Sequence, residues 1–143
     1  MTEKFDLTRF HLAHNVHYET ALKEIKEGRK HSHWMWFIFP QLDGLGKSER
    51  AKYYSLKSLE EAKAFLEDPI LGSHIFEISE ALLNLDESDP SKVFGYPDYL
   101  KLRSSMTLFK EAKKDADIFD KVLEKYFESE EDEFTIELLE SKN

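Results

Sequence analysis

Ile70, Leu71, Ile75, Ile78, Leu82 and Leu83 fall on one face at helical spacing, and nowhere in the chain does strict apolar/polar alternation run the length of a strand. That periodicity constrains the fold more than any other feature. Pro69 suits the first turn of this helix, which runs to about Leu85. Upstream, Phe5, Phe10, Leu12, Val16, Ala21, Leu22 and Ile25 follow a period closer to 3.6 than to 2, so a first helix is expected from an Asp6 cap to Gly28, with a break near Asn15. Ser32 is read as the cap of a short helix over residues 33–39 that Pro40 ends. Periodicity alone also permits a buried strand there. Gly44 and Gly46 mark a loop over residues 41–47, after which Ser48 and Ser58 are caps for two helices, and Ser58 with Glu61 forms a capping box. Asp89-Pro90 opens a short helical turn closed by Gly95, and Pro97-Asp98 starts a longer helix with Leu100, Met106, Leu108 and Phe109 facing inward. Two last helices are expected near residues 118–127 and 134–139, with the acidic run 128–133 as a solvated linker. No Asn-Gly or Asp-Gly hairpin turn separates apolar runs, since Asp43-Gly44 sits in the glycine loop. The expectation is an all-α, compact single domain over residues 1–143, built from about seven to nine mostly short helices.

At 143 residues, 41% hydrophobic and 13% aromatic, the chain can bury one core and is not a disordered polar segment. It has no cysteine, which removes disulfides and thiolate metal sites and permits a reducing compartment. The N-terminal stretch lacks an apolar signal core, and no run approaches the roughly 18 apolar residues of a membrane span, so a cytoplasmic protein with no membrane partner is expected. The net charge of -9 is unevenly placed. Residues 128–143 hold seven acids against one base, whereas residues 23–57 carry eight Lys or Arg against four acids and residues 92–114 carry six against two. Basic stretches in an acidic protein suit a small anion better than a long phosphate backbone, and no DNA partner is expected.

Those basic stretches hold the candidate site. Residues 29–41 run from cations, hydroxyl and imidazole straight into aromatic side chains: Arg29, Lys30, Ser32, His33, Trp34, Trp36 and, past Pro40, Gln41. The tryptophans are core anchors, one of them also able to line a ligand cavity. His33 is the candidate general acid or base, against the plainer reading of an imidazole bonded at a helix start. On the later helix, Lys101 and Arg103 stand about 200° apart around the axis, so only one can face a given pocket. Lys101 with Ser104 or Ser105 can form a polar patch, better suited to anion binding than to Ser-Lys nucleophilic chemistry. Asp98 is a second candidate for proton transfer. His11, His14 and His17 have spacing that brings two imidazoles together, but no carboxylate completes a metal site, and no metal or cofactor is expected. Gly44-Leu45-Gly46-Lys47-Ser48 ends like a phosphate loop but has Gln41 where its first glycine belongs, and His74 reads as an isolated surface residue.

Gly28-Arg29-Lys30, Ser32-His33-Trp34-Met35-Trp36-Phe37-Ile38-Phe39-Pro40-Gln41, Gly44-Leu45-Gly46, Phe94-Gly95-Tyr96-Pro97-Asp98 and Lys101-Leu102-Arg103-Ser104-Ser105-Met106-Thr107-Leu108-Phe109 resemble the bacterial family known as domain of unknown function 1810. The likeness covers nearly the whole chain. It implies an all-α cytosolic fold and brings no assigned activity and no catalytic residues with it. A Lys-to-Met helix followed by an aromatic is also similar to helical enzymes that cleave N-glycosidic bonds in ADP-ribose-type compounds, over too short a span to carry residues across.

The residues together lead to the expectation of a binding protein or enzyme with a pocket for a small anionic, nucleotide- or sugar-phosphate-like ligand. Hydrolysis is the candidate reaction, with Lys101 or Arg29 holding the anion and His33 or Asp98 moving the proton. The alternative is a helical interaction module whose basic surface meets a protein or RNA partner. A monomer or weak homo-oligomer is expected in either case.

Overall fold

The computed structural model describes residues 5–141. Residues 1–4 of the N-terminal stretch, and the last two residues of the 1–143 domain, lie outside the described residues. Within them the chain forms α1 (Thr8–Lys26), α2 (Met35–Ile38), α3 (Glu49–Tyr53), α4 (Leu59–Glu67), α5 (Pro69–Leu83), α6 (Pro90–Phe94), α7 (Asp98–Ala112), α8 (Ile118–Phe127) and α9 (Glu133–Ser141). No strand occurs among the described residues; the nearest thing to one is a single parallel bridge between Leu42 and Leu56, which closes the glycine loop. No helix is long and apolar enough to cross a membrane.

Several short-range signals act as their chemistry requires. The Ser48 and Ser58 hydroxyls accept from the amides of Ala51 and Glu61. Asp68 caps α5 through the amides of Ile70 and Leu71, with Pro69 at the first helical position, where its missing N–H costs nothing. Asp89 and Gly95 bracket α6 in the same way. Three local expectations are corrected. First, α1 runs unbroken through Asn15, because Ala13, His14 and Tyr18 on either side pack inward and hold the turn. Second, α2 is a single turn beginning at Met35, not His33. Ser32 does not cap it: Trp34 is the residue before this turn and makes no side-chain cap bond, and the Ser32 hydroxyl, further upstream, donates to Glu24 at 2.6 Å. Third, Glu61 completes no box with Ser58, because its carboxylate takes the amide of Lys57, one residue earlier, and the Arg9 guanidinium.

Packing centres on α5 and α7. The first lies against α1, α4 and α8, the second against α4, α6, α8 and α9. A line of rings runs through the core, Phe10 to Phe65 to Phe109 to Phe119, with centroids 5.1, 5.4 and 5.7 Å apart. Trp34, Phe39 and Phe94 make a second cluster of mutually contacting rings. Full burial of such rings is worth about 1.5 to 3 kcal/mol apiece. The acidic run between α8 and α9 is tied to α7: Lys110 pairs with Glu131, Arg103 reaches Glu130 and Asp132, and Asp132 caps α9 through Thr135.

The turn after α1 sets the course of the segment beyond it. Gly28 adopts φ +91°, the Gly28 amide donates to the Ile25 carbonyl, and the Arg29 amide donates to the Glu24 carbonyl. This is the paired-bond ending that a left-handed residue after a helix allows, and glycine takes that conformation without strain. It folds residues 29–34 back over the last turns of α1.

Candidate functional site

The returning segment is held by one carboxylate. Glu24, buried on α1, accepts from the amides of His31 and Ser32 at 2.8 and 3.0 Å, from the Ser32 hydroxyl at 2.6 Å and from the Trp34 indole N–H at 2.9 Å. Burial by itself would raise its pKa, but these donors outweigh that and bring it down to about 2. Glu24 therefore carries its charge inside the protein, and it fixes which way residues 29–34 present their side chains.

Beyond that anchor the cations gather. Lys30 Nζ lies 2.8 Å from Asp98 Oδ2, and Lys101 Nζ lies 3.5 Å from Asp98 Oδ1. The start of α7 is thereby joined to the segment after α1. The Lys30 amide also donates to the Val93 carbonyl at 2.7 Å, which brings α6 alongside. Each lysine stands over a tryptophan, Lys30 5.2 Å from the Trp34 ring and Lys101 5.5 Å from that of Trp36. Trp36 is only half-buried, and Arg50 stands 5.2 Å from the same ring. Next to Lys30, a cleft of about 510 Å³ is lined by Arg29, Lys30, Ser91, Lys92, Val93, Phe94 and Gly95, with three cations and no carboxylate in its wall.

The remaining residues expected at the site scatter. His33 is exposed and lines a different cleft, of about 690 Å³, together with Ser32, His17, Arg50 and Tyr54. Trp34 is 0% exposed and is core. Gln41 is half-buried and its carbonyl accepts the Leu56 amide that closes the glycine loop. Arg103 points away from Lys101, toward Glu130 and Asp132, as two residues' separation on a helix requires. Ser104 and Ser105 are buried in α7. Ser104 donates to the Leu100 carbonyl of its own helix and the Ser105 hydroxyl has no partner, so neither joins Lys101 in a polar patch.

A second constellation escaped sequence reasoning. His74 is not an isolated surface residue: its Nδ1 lies 2.9 Å from Nδ1 of His14, and its ring stacks on Tyr18 with centroids 3.6 Å apart. Tyr18 donates to Glu77 at 2.6 Å, and His11 pairs with Asp68 at 2.7 Å. His11, His14, Tyr18, His74 and Glu77 border a cleft of about 740 Å³ between α1 and α5. The one available signal was the His-x-x-His-x-x-His spacing, but its histidines diverge: His11 goes to Asp68, His14 inward, and His17 packs 5.3 Å from the Phe37 ring. Among the described residues no group of three or more His, Asp or Glu is arranged to hold a metal.

Comparison with known proteins agrees with this architecture. The model of the family described as "Protein of unknown function (DUF1810)" matches residues 4–139. A crystal structure of the conserved hypothetical protein Rv1873 from Mycobacterium tuberculosis is similar at 43% identity, covering 96% of this chain and 99% of that one, with a TM-score of 0.94. No curated protein matches the chain. The chain belongs to the DUF1810 family.

Proposed function

We propose, with membership of a family of unknown function as the premise, that the protein binds a small anionic ligand of nucleotide- or sugar-phosphate type on the face formed by Arg29, Lys30, Trp36 and Lys101. The observation that carries this reading is Asp98, which draws Lys30 and Lys101 together from two stretches of sequence. One carboxylate shared by two lysines leaves donor capacity unused, since an ammonium has three N–H groups, and Arg29 and Lys92 add further cations in the adjoining cleft. Phosphate suits such a wall. The half-buried Trp36 ring, flanked by Lys101 and Arg50, offers a flat surface for a base or sugar.

Binding is better supported than turnover. Asp98 is engaged as the counter-ion of two lysines, and His33 opens into another cleft, so neither stands ready to pass a proton to a ligand on this face. The proposal includes a cytoplasmic setting, consistent with a chain free of cysteine, and residues 1–143 acting as one domain, with 128–133 leading into the last helix.

The test is a thermal-shift and turnover screen over ADP-ribose, nucleotides and sugar phosphates. A ligand present at about 100 times its dissociation constant should stabilise the protein by about 2.7 kcal/mol, and Lys101→Ala or Arg29→Ala should lose that shift while keeping the parental circular dichroism. Consumption of the ligand, abolished in His33→Ala, would restore the hydrolase reading. Absence of any response would favour a helical interaction module, for which one observation speaks: Leu12 and Val16, one turn apart on α1, are 66% and 70% exposed. Pull-down with a salt titration reads that alternative directly.

A further inference from the structure

The cleft between α1 and α5 holds a base whose protonation pattern is dictated by its neighbours. His14 is buried, and its Nε2 lies 2.8 Å from the Phe37 carbonyl oxygen. A carbonyl only accepts, so Nε2 carries the proton and Nδ1 carries the lone pair. That Nδ1 is 2.9 Å from His74 Nδ1, with the two rings coplanar to within 1°. The bond between them needs one proton, which must therefore sit on His74 Nδ1. Neutral His74 is left with its lone pair on Nε2. No described residue bonds that atom and it is not sealed from solvent, so it opens into the cleft that His74 lines. Tyr18, stacked at 3.6 Å and 3°, fixes the plane of the ring.

The surroundings select what can approach. Burial keeps both imidazoles neutral at physiological pH, lowering His14 to about 4 and His74 in the same direction. Glu77 uses one carboxylate oxygen for Tyr18 and leaves the other open, and Glu19 stands across the same cleft. Leu12, Leu22 and Ile70 form its apolar wall. Carboxylates and an imidazole lone pair are acceptors, and together they repel anions. An ammonium group supplies only donors and a compensating charge.

We propose that this cleft is a binding site for a small organic cation bearing a primary ammonium on an apolar body. The ammonium donates to His74 Nε2 and faces Glu19 and Glu77, while the body lies against Leu12, Leu22 and Ile70. The site is separate from the cationic face and opposite to it in charge selection. His14 and Tyr18 are positioning residues here, and His74 is the residue that meets the ligand.

Nitrogen-detected NMR of the imidazoles, with 2-phenylethylamine as probe and 3-phenylpropanoate as its charge-reversed control, tests this. In the free protein at neutral pH, His74 should show the Nδ1–H tautomer and His14 the Nε2–H tautomer. The amine should shift His74 Nε2 saturably and the acid should not. His74→Phe keeps the stack on Tyr18 but removes the acceptor, and should weaken amine binding by about tenfold, the worth of one hydrogen bond to a charged group. If that variant does not fold, the exposed Glu19→Lys serves instead and should weaken the amine while leaving the fold intact. His74 found in the Nε2–H tautomer, equal binding of amine and acid, or no saturable response to the amine would each overturn the proposal.

Discussion

Glu24 and His14 are about three turns apart on the same helix, and the protein satisfies them by opposite means. Around Glu24 four donors converge on a charge, so a buried carboxylate is held ionised with its pKa down at about 2. Around His14 there is no charge to answer. Its two nitrogens are used once each, toward a carbonyl and toward another imidazole, and burial makes the charged form unfavourable. The lesson is that burial alone does not set the ionisation of a side chain. The number and kind of its partners decide, and here an all-donor shell fixes a loop while a neutral relay leaves one nitrogen open.

The largest effect should come from breaking the first of these. Glu24→Ala strips the partner from the Trp34 indole N–H, which is wholly buried, and from two backbone amides, and should cost about 3 to 5 kcal/mol. Urea denaturation followed by tryptophan emission measures it, and Glu24→Gln, which keeps an acceptor oxygen, should lose less. A cost below about 1 kcal/mol for the alanine variant would mean that residues 29–34 hold their course without the carboxylate, and the contrast with His14 would lose its first half.

Acid titration separates the two regions in order. His14 has a folded pKa of about 4 against 6.5 for the free side chain, so the unfolded chain takes up its proton first. Stability should therefore fall as pH drops from about 6.5 to 4, by about 3 kcal/mol in all, and stay level below that as far as this residue is concerned. Glu24 behaves on a lower range. Its folded pKa of about 2 lies below the ordinary 4.5, so its contribution is whole above about 4.5 and is lost as pH falls toward 2, again by about 3 kcal/mol. Denaturant midpoints measured across this range should show two descending steps, and His14→Phe should shrink the upper one, leaving only the part that His74, lowered in the same direction, contributes. A parent whose stability stays level down to about 4.5 and falls only below that would show that the buried imidazole is not held neutral.

How far the sequence announced these regions depends on the range of the interaction. Helix starts at Ser48, Ser58, Pro69 and Pro90 were legible because cap and helix are neighbours in the chain, and the all-α reading followed from the apolar period. The start of α2 was not legible, because no local signal marks Met35 as its first residue, and Ser32 bonds a carboxylate eight residues back in the chain. His74 was invisible for a stronger reason: its partners His14 and Tyr18 lie 60 and 56 residues away and meet it only when α1 packs on α5. The cationic stretches were visible as composition, and their joining through Asp98 was not. Ser104 and Ser105 misled because residues 102–109 are small or apolar nearly all round, so the pattern did not say which side of α7 faces α4, α8 and α9.

The smallest change in stability, and the sharpest contrast, belongs to Lys101. Its ammonium is 3.5 Å from Asp98, with about a quarter of the side chain exposed, so the pair works against screening by water and salt. Asp98 keeps Lys30 at 2.8 Å when Lys101 is replaced, which leaves no buried charge alone. Lys101→Gln should therefore lower the unfolding free energy by less than about 1 kcal/mol, far short of Glu24→Ala although both substitutions remove one charged partner. The same variant should abolish stabilisation by a phosphate-bearing ligand, because the ammonium's remaining N–H groups and its place over the Trp36 ring are available only on that face. A large loss of stability would make Lys101 a structural tie like Glu24. A small loss with ligand response intact would move the anion toward Arg29 and Lys92.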